Sequence, residues 1–260
     1  MRNKRKIKVY QLVILVFFLV TALVGGVLYF YDSYKSKNPI PSVKKLIEEK
    51  EKIDYQDKDD NKIDVDEYVN ELPSYREQYG NNDIVGKLIV PNINIDTLIA
   101  RTANNTYYLN NNLYHQQDIL GAPFFDYRNT DLVNNRQINI YGHNTQDSRY
   151  FGQLPFINLE AYVDQNIFDN YKDVYLSIDE KQIKYRIVAI KIINGSDNEH
   201  MKLLFSDDND FINHTNKLLQ NTLYKEDNLV INKEDKILVL QVCHYNPMGS
   251  YLLVICKEEK

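Results

Sequence analysis

Of the residues in this chain able to do covalent chemistry, Cys243 is the most conspicuous. It ends a near-continuous apolar run, Ile237-Leu238-Val239-Leu240-Gln241-Val242, close to the C-terminus, and the chain has only 2 cysteines, the other being Cys256. A thiol is a good nucleophile only as its thiolate, so such a cysteine needs a base or a cation beside it. Five histidines could supply one: His115, His143, His200, His214 and His244. His244 follows Cys243 directly, but if the strand continues through it, its side chain points to the opposite face. His214 falls on the polar side of a helical stretch, beside Asn213, where solvent is expected. His200 and His115 stand in polar loops. His143 differs from the rest. It follows the strand-like run Ile138-Asn139-Ile140-Tyr141 and opens the loop Gly142 to Gly152. Strand ends running into loops are where catalytic side chains tend to be displayed. The pattern points to Cys243 as nucleophile and His143 as its base.

A disulfide between the two cysteines does not suit the spacing. Asp235–Cys243 and Ser250–Lys257 both read as strands, joined by the turn-rich His244-Tyr245-Asn246-Pro247-Met248-Gly249. In a hairpin, Cys243 faces Ser250 or Tyr251. Cys256 then lies about 17–20 Å further along at about 3.3 Å per residue, whereas a disulfide tolerates Cα separations of only about 7 Å. Cys256 is expected to pack as a small hydrophobe.

The elements that must position this pair follow from the texture of the chain. From Ile84 onward, short β-type runs alternate with Asn, Asp and Gly: Val85–Val90, Gln137–Tyr141, Val174–Ile178, Tyr185–Ile193, Ile237–Cys243 and Tyr251–Cys256. Repeated short strands with turn signals predict a closed or nearly closed β structure. One helix interrupts them, over Asp207–Tyr224, with Phe211, Ile212, Thr215, Leu218, Leu219 and Leu223 at helical spacing and Ser206 as its N-cap. Upstream, Ser42–Glu48 reads as a capped helix start and Val65–Tyr79 as a second helical pattern carrying Tyr68, Val69 and Leu72 on one face.

The N-terminus predicts the compartment. Arg2, Lys4, Arg5, Lys6 and Lys8 precede an uncharged stretch from Val9 to Tyr31 that ends in Tyr29-Phe30-Tyr31. That stretch exceeds the ~20 residues a membrane-crossing helix needs, and its terminal aromatics suit the interfacial belt. It is longer than the ~7–15-residue apolar core of a cleaved signal. The organisation expected is a cytoplasmic basic tail (1–8), a transmembrane anchor (9–31), an extracellular helical appendage (32–83) and a β-barrel catalytic domain (84–260). A mild formal net charge of -5 argues against a nucleic-acid partner, which would favour a basic surface. A thiol kept in an oxidising exterior without a disulfide partner calls for a chemical role.

Several ordered motifs carry a family resemblance. Tyr141-Gly142-His143-Asn144 is followed by Tyr150-Phe151-Gly152-Gln153-Leu154 and preceded by Phe125-Asp126-Tyr127-Arg128-Asn129. Gly86 to Asp96, Asn105-Thr106-Tyr107-Tyr108-Leu109-Asn110 and the apolar strand ending in Cys243 complete the set. Together they resemble the class B sortases, over about Ile84 to Lys257. The resemblance implies a mainly β fold, an eight-stranded barrel with N-terminal helices and a helix inserted before the cysteine strand. It implies a membrane-anchored cysteine transpeptidase of Gram-positive bacteria that needs no metal or organic cofactor. Its partners would be a sorting-signal peptide resembling Asn-Pro-x-Thr-Asn, cleaved through a thioester, and a cell-wall precursor amine that resolves it, with hydrolysis as a side reaction. By position Cys243 is the nucleophile and His143 the acid/base.

Two departures from the family pattern bear on chemistry. The usual Thr-Leu-x-Thr-Cys reads Val239-Leu240-Gln241-Val242-Cys243 here. The family's arginine, which orients substrate and stabilises the oxyanion, is replaced at the start of the last strand by Tyr251. Lys257 lies about 20 Å further along that strand, and Arg101, Arg128 and Arg149 need the fold to place them. The alternative function is a catalytically impaired sortase-fold protein that binds a peptide or wall component. Asp126 and Asn144 are expected to serve through turn hydrogen bonds.

Overall fold

The computed structural model describes residues 70–147, 153–179 and 181–260. The basic tail, the expected anchor at 9–31, the helix start at 42–48, most of the 32–83 appendage and Arg149 lie outside them. Among the described residues no helix is long and apolar enough to cross a membrane.

The first described element is α1 (Leu72–Tyr79), ended by Gly80 in the left-handed conformation. Only Leu72 of this helix is buried, against Ile84 and Leu98. The strands β1 (Ile84–Val90), β2 (Ile95–Ala100), β3 (Phe124–Phe125) and β4 (Gln137–Gly142) follow. After a 3-10 segment (Pro155–Val163) and α2 (Gln165–Asn170) come β5 (Asp173–Ser177) and β6 (Gln182–Asn194). The chain finishes with α3 (Asp208–Leu218), β7 (Tyr224–Lys225), β8 (Ile237–His244) and β9 (Ser250–Glu258). The strand order β5-β1-β2-β3-β4-β8-β9-β6 is closed by pairing of β5 with β6, and β7 is added to the edge of β6. The fold is therefore the mainly β, eight-stranded barrel expected. Closure removes the exposed sheet edges that would otherwise pair with other chains.

Strand alternation explains why β8 is apolar on both faces. Leu238, Leu240 and Val242 point into the barrel with Ile138, Ile140, Leu252 and Val254. Ile237 and Val239 point outward, into a second core with Leu253, Ile255, Phe211 and Leu218, which α3 covers. A strand buried on two faces loses the polar alternation of a half-exposed one. The helix expected over Asp207–Tyr224 is shorter, and its N-cap is Asp207, whose carboxylate accepts from the Asp210 N–H, in place of Ser206. His214, expected in solvent, is 4% exposed. With Phe211, Thr215 and Leu218 it completes an i, i+3, i+4, i+7 stripe on the buried face. Its ring also packs 5.2 Å from that of Phe205. His200 is buried as well, at 2% exposed, rather than standing in an open loop.

Beside β4, Asp126 anchors the segment after β3. Its fully buried carboxylate takes a two-pronged contact from Arg128, at 2.9 and 2.7 Å. The Tyr141 hydroxyl donates at 2.8 Å and the Asn105 amide at 3.0 Å. Burial alone would raise this carboxyl, but the Arg128 and Tyr141 hydrogen bonds outweigh it and hold it below its ordinary 3.8. A depressed acid stabilises the fold above its unfolded value and loses that contribution as pH falls through the folded one. Asp126→Asn is expected to cost about 2–4 kcal/mol at pH 7. In thermal melts the gap between variant and parent should close at pH values below 3.8; a gap unchanged at low pH would show that the charge contributes nothing.

Candidate active site

Strands β4 and β8 run parallel, with Gln137 opposite Ile237 and each following pair in step up to Gly142 opposite Val242. The next residue on each strand is His143 and Cys243. Paired positions on neighbouring strands share a face, and the strands lie about 4.8 Å apart. A hydrogen bond from the Asn144 amide to the Cys243 carbonyl, 2.7 Å, continues the contact beyond the ladder. The two residues separated by a hundred positions in sequence are thus delivered to one end of one strand pair. The last turn into the loop uses Gly142 because a side chain there would meet the Phe156 ring at 2.5 Å.

The imidazole of His143 is oriented by the backbone. Its Nε2 lies 2.6 Å from the Leu109 carbonyl. A carbonyl only accepts, so Nε2 carries the proton and Nδ1 is left as the nitrogen that exchanges one. Leu109 belongs to the short 3-10 turn Tyr107–Leu109. Gly121 closes the back of this arrangement at φ +58; a side chain there would meet the Tyr108 carbonyl at 2.2 Å and the His143 ring at 3.1 Å.

Cys243 is half-buried and has a free thiol, as does fully buried Cys256. In the hairpin Cys243 pairs with Tyr251, while Cys256 pairs with Leu238 five residues away along β8. Burial pushes the Cys243 thiol up, so it rests as the neutral thiol. Tyr251 stands directly across the hairpin from the sulfur-bearing residue, and it packs against the outer core below. Three of the four cations raised as substitutes for an arginine are occupied elsewhere, and the fourth, Arg149, lies outside the described residues. Lys257 pairs with Asp235 at 3.0 Å, Arg128 is held by Asp126, and the Arg101 guanidinium donates to the Asn129 carbonyl.

Of the remaining histidines, His244 points inward from Cys243, and its Nδ1 meets both oxygens of Glu160 at 3.0 Å. His200 donates from Nε2 to the Gln241 side chain at 2.6 Å, on the same outer face as Cys243. Burial lowers its basicity, against the opposing effect of that hydrogen bond. His214 contacts Gln137 and Glu199, and burial likewise lowers it. His115 is exposed and meets the Tyr107 hydroxyl. Glu160 itself is pushed up by burial, with the His244 and Asn144 contacts pulling the other way. It sits in a 3-10 segment seventeen residues after His143, and no motif or periodicity in the sequence joins it to the cysteine strand. For His244 the sequence gives only a side chain on the face opposite Cys243.

The raised thiol has a measurable consequence. The rate of Cys243 alkylation by iodoacetamide should keep climbing with pH beyond about 8.5, the ordinary cysteine value. A rate that levels off below that value would reveal a cation offsetting the burial.

No family model matches the chain. Sortase B of Listeria monocytogenes is 27% identical over 164 residues, which are 63% of this chain and 63% of that protein. The alignment thus spans less than two thirds of the Listeria protein. Sortase B of Staphylococcus aureus is 22% identical over 180 residues, 68% of this chain and 70% of its own. Among solved structures, Clostridium perfringens sortase B superposes with a TM-score of 0.65 at 25% identity, covering 72% of this chain and 100% of that one. In fold and in sequence likeness, this chain is class B sortase-like.

Proposed function

We propose that the chain is an extracellular cysteine transpeptidase of the sortase type, with Cys243 as nucleophile and His143 as acid/base. The observation that supports it most is the in-register delivery of the two residues, with the imidazole's Nε2 already committed to a carbonyl. On a bound peptide, the Cys243 proton passes to His143 Nδ1 as the sulfur attacks the carbonyl carbon of the signal's threonine. The carbonyl oxygen takes up negative charge. Collapse breaks the C–N bond, and the imidazolium returns its proton to the departing amine, leaving a thioester. An incoming amine then attacks the thioester, gives its proton to His143 and expels the thiolate. Water in place of the amine gives hydrolysis.

The substrate proposed is an Asn-Pro-x-Thr-type sorting signal, and the acceptor an amine of the cell-wall precursor, so that a surface protein becomes fixed to peptidoglycan. Residues 9–31 would anchor the chain in the membrane, with residues 1–8 cytoplasmic and the barrel outside. Tyr251, across from Cys243, would contact substrate or the developing oxyanion through its hydroxyl. A second reading is a peptide- or wall-binding module with little turnover. It is favoured by Tyr251 standing where a guanidinium would, since removing one oxyanion donor can cost ~10²–10³ in rate.

The two readings separate on quenched peptides bearing Asn-Pro-x-Thr signals, with and without an amine acceptor. The full chain should cleave them and accumulate a thioester, and Cys243→Ala or His143→Ala should abolish both. Binding without cleavage or adduct, for every signal variant, would establish the binding module instead. Tyr251→Arg should raise turnover about tenfold or more if the cation's place is vacant, and no change would show that another group serves the oxyanion.

A further inference from the structure

Beneath Cys243, on the barrel side, one carboxylate joins the ends of both strands. Glu160 Oε1 accepts from the Asn144 amide at 2.9 Å, and both its oxygens face His244 Nδ1 at 3.0 Å. The same Asn144 nitrogen donates to the Cys243 carbonyl at 2.7 Å. Both neighbours are acceptors, which fixes the amide's orientation and uses both of its N–H bonds. On the other side, the Tyr245 hydroxyl donates to the Asn144 carbonyl at 2.9 Å. The residues immediately after His143 and after Cys243 are therefore cross-tied, by way of a side chain from neither strand.

This tie sits where the β-ladder has already ended. The last pair of the ladder is Gly142 with Val242, so backbone pairing does not itself hold His143 against Cys243. Stability gives little reason for a buried acid, amide and imidazole at that point, because apolar side chains of similar volume are commonly as stable or more so. Precise placement does give one, since a displacement of about 1 Å in a reacting pair can cost 10²-fold in rate.

We propose that Glu160 is a positioning residue for the reaction, holding His143 and Cys243 in register past the end of the β4–β8 ladder through Asn144 and His244. The proposal rests on the transpeptidase reading for its kinetic consequence but not for its geometric one. Glu160 touches neither the sulfur nor the imidazole of His143. It acts through the loop that carries one and the strand that carries the other.

The test uses the full chain in detergent, with Glu160→Ala, Glu160→Gln, Asn144→Ala and the Glu160→Ala/Asn144→Ala double variant. For signal-peptide cleavage, kcat should fall about tenfold or more in each alanine variant, with KM changed less than about twofold. The double variant should be no slower than the slower single one, because both remove the same tie. Glu160→Gln keeps an acceptor for Asn144 and should stay within about threefold of the parent. The His143 ring signals, assigned by their loss in His143→Ala, should shift in both alanine variants and hold in Glu160→Gln. Unchanged ring signals in the alanine variants, losses that multiply in the double variant, or Glu160→Gln as slow as Glu160→Ala would each overturn the proposal. If the parent cleaves no peptide, the transpeptidase reading fails on its own, and the His143 signals still decide the role of Glu160.

Discussion

Everything at the candidate site depends on one parallel strand pair. Among the described residues the pairing of β4 with β8 is one of two parallel ladders in an otherwise antiparallel barrel, the other being the single pair Ala100 with Phe124. Parallel neighbours cannot be joined by a tight turn, so the chain between them makes a long excursion through β5, β6 and α3. The two strands end at the same end of the barrel because they run the same way. An antiparallel pair would send His143 and Cys243 to opposite ends. Side-chain period 2 adds the second requirement: a slip of one residue would turn Cys243 into the barrel and bring His244 out. The burial of Leu238, Leu240 and Val242 inside and of Ile237 and Val239 outside opposes that slip at every step.

The excursion between the strands is itself used. Its 3-10 segment brings Glu160 under the strand ends, while α3 covers the outer face of β8 and β9. The loop before α3 is seated by His200, whose carbonyl takes amide hydrogen bonds from Gln137 and Asn139 at 2.8 and 2.9 Å. Through its ring His200 also reaches Gln241, the side chain next to Cys243 on that face. The polar groups on β4, which read as an interruption of an apolar strand, are thus the sockets for a crossing loop. Buried in this way they need partners, and each finds one within the network.

The strands and the hairpin were legible in the sequence because their causes are local: apolar runs, turn residues and a count of positions from Cys243 to Tyr251. His143 was legible for the same reason, as a histidine at a strand end. Closure was legible only in outline, since the pairings of β5 with β1 and of β6 with β9, which join distant segments, have no local mark. His214 was misplaced because a polar residue was assigned to a polar face, although its position falls in the same stripe as Phe211 and Leu218. Glu160 was missed altogether. Its partners are set by where a 3-10 segment crosses the barrel end, which depends on the packing of Phe156, Leu159 and Tyr162 inside. The residues and the resemblance to sortases both pointed to the proposed pair, but the carbonyl that orients His143 is a backbone atom and has no signature at all.

The electrostatics of the site follow from what stands opposite Cys243. A guanidinium at that place would serve twice, drawing the thiol toward its thiolate and meeting the oxyanion later. A tyrosine hydroxyl can donate one hydrogen bond to the oxyanion but brings no charge to the resting thiol. Among the described residues burial alone acts on Cys243 and raises its thiol. In the transpeptidase reading, the ion pair of sulfur and imidazole must therefore form during the reaction and in a partly desolvated place. Such a pair gains from low dielectric only when its members are close and well aligned. The weaker the fixed charge, the more the chemistry depends on geometry, which is why the parallel register, the Leu109 carbonyl and the tie through Asn144 matter more here than they would beside an arginine.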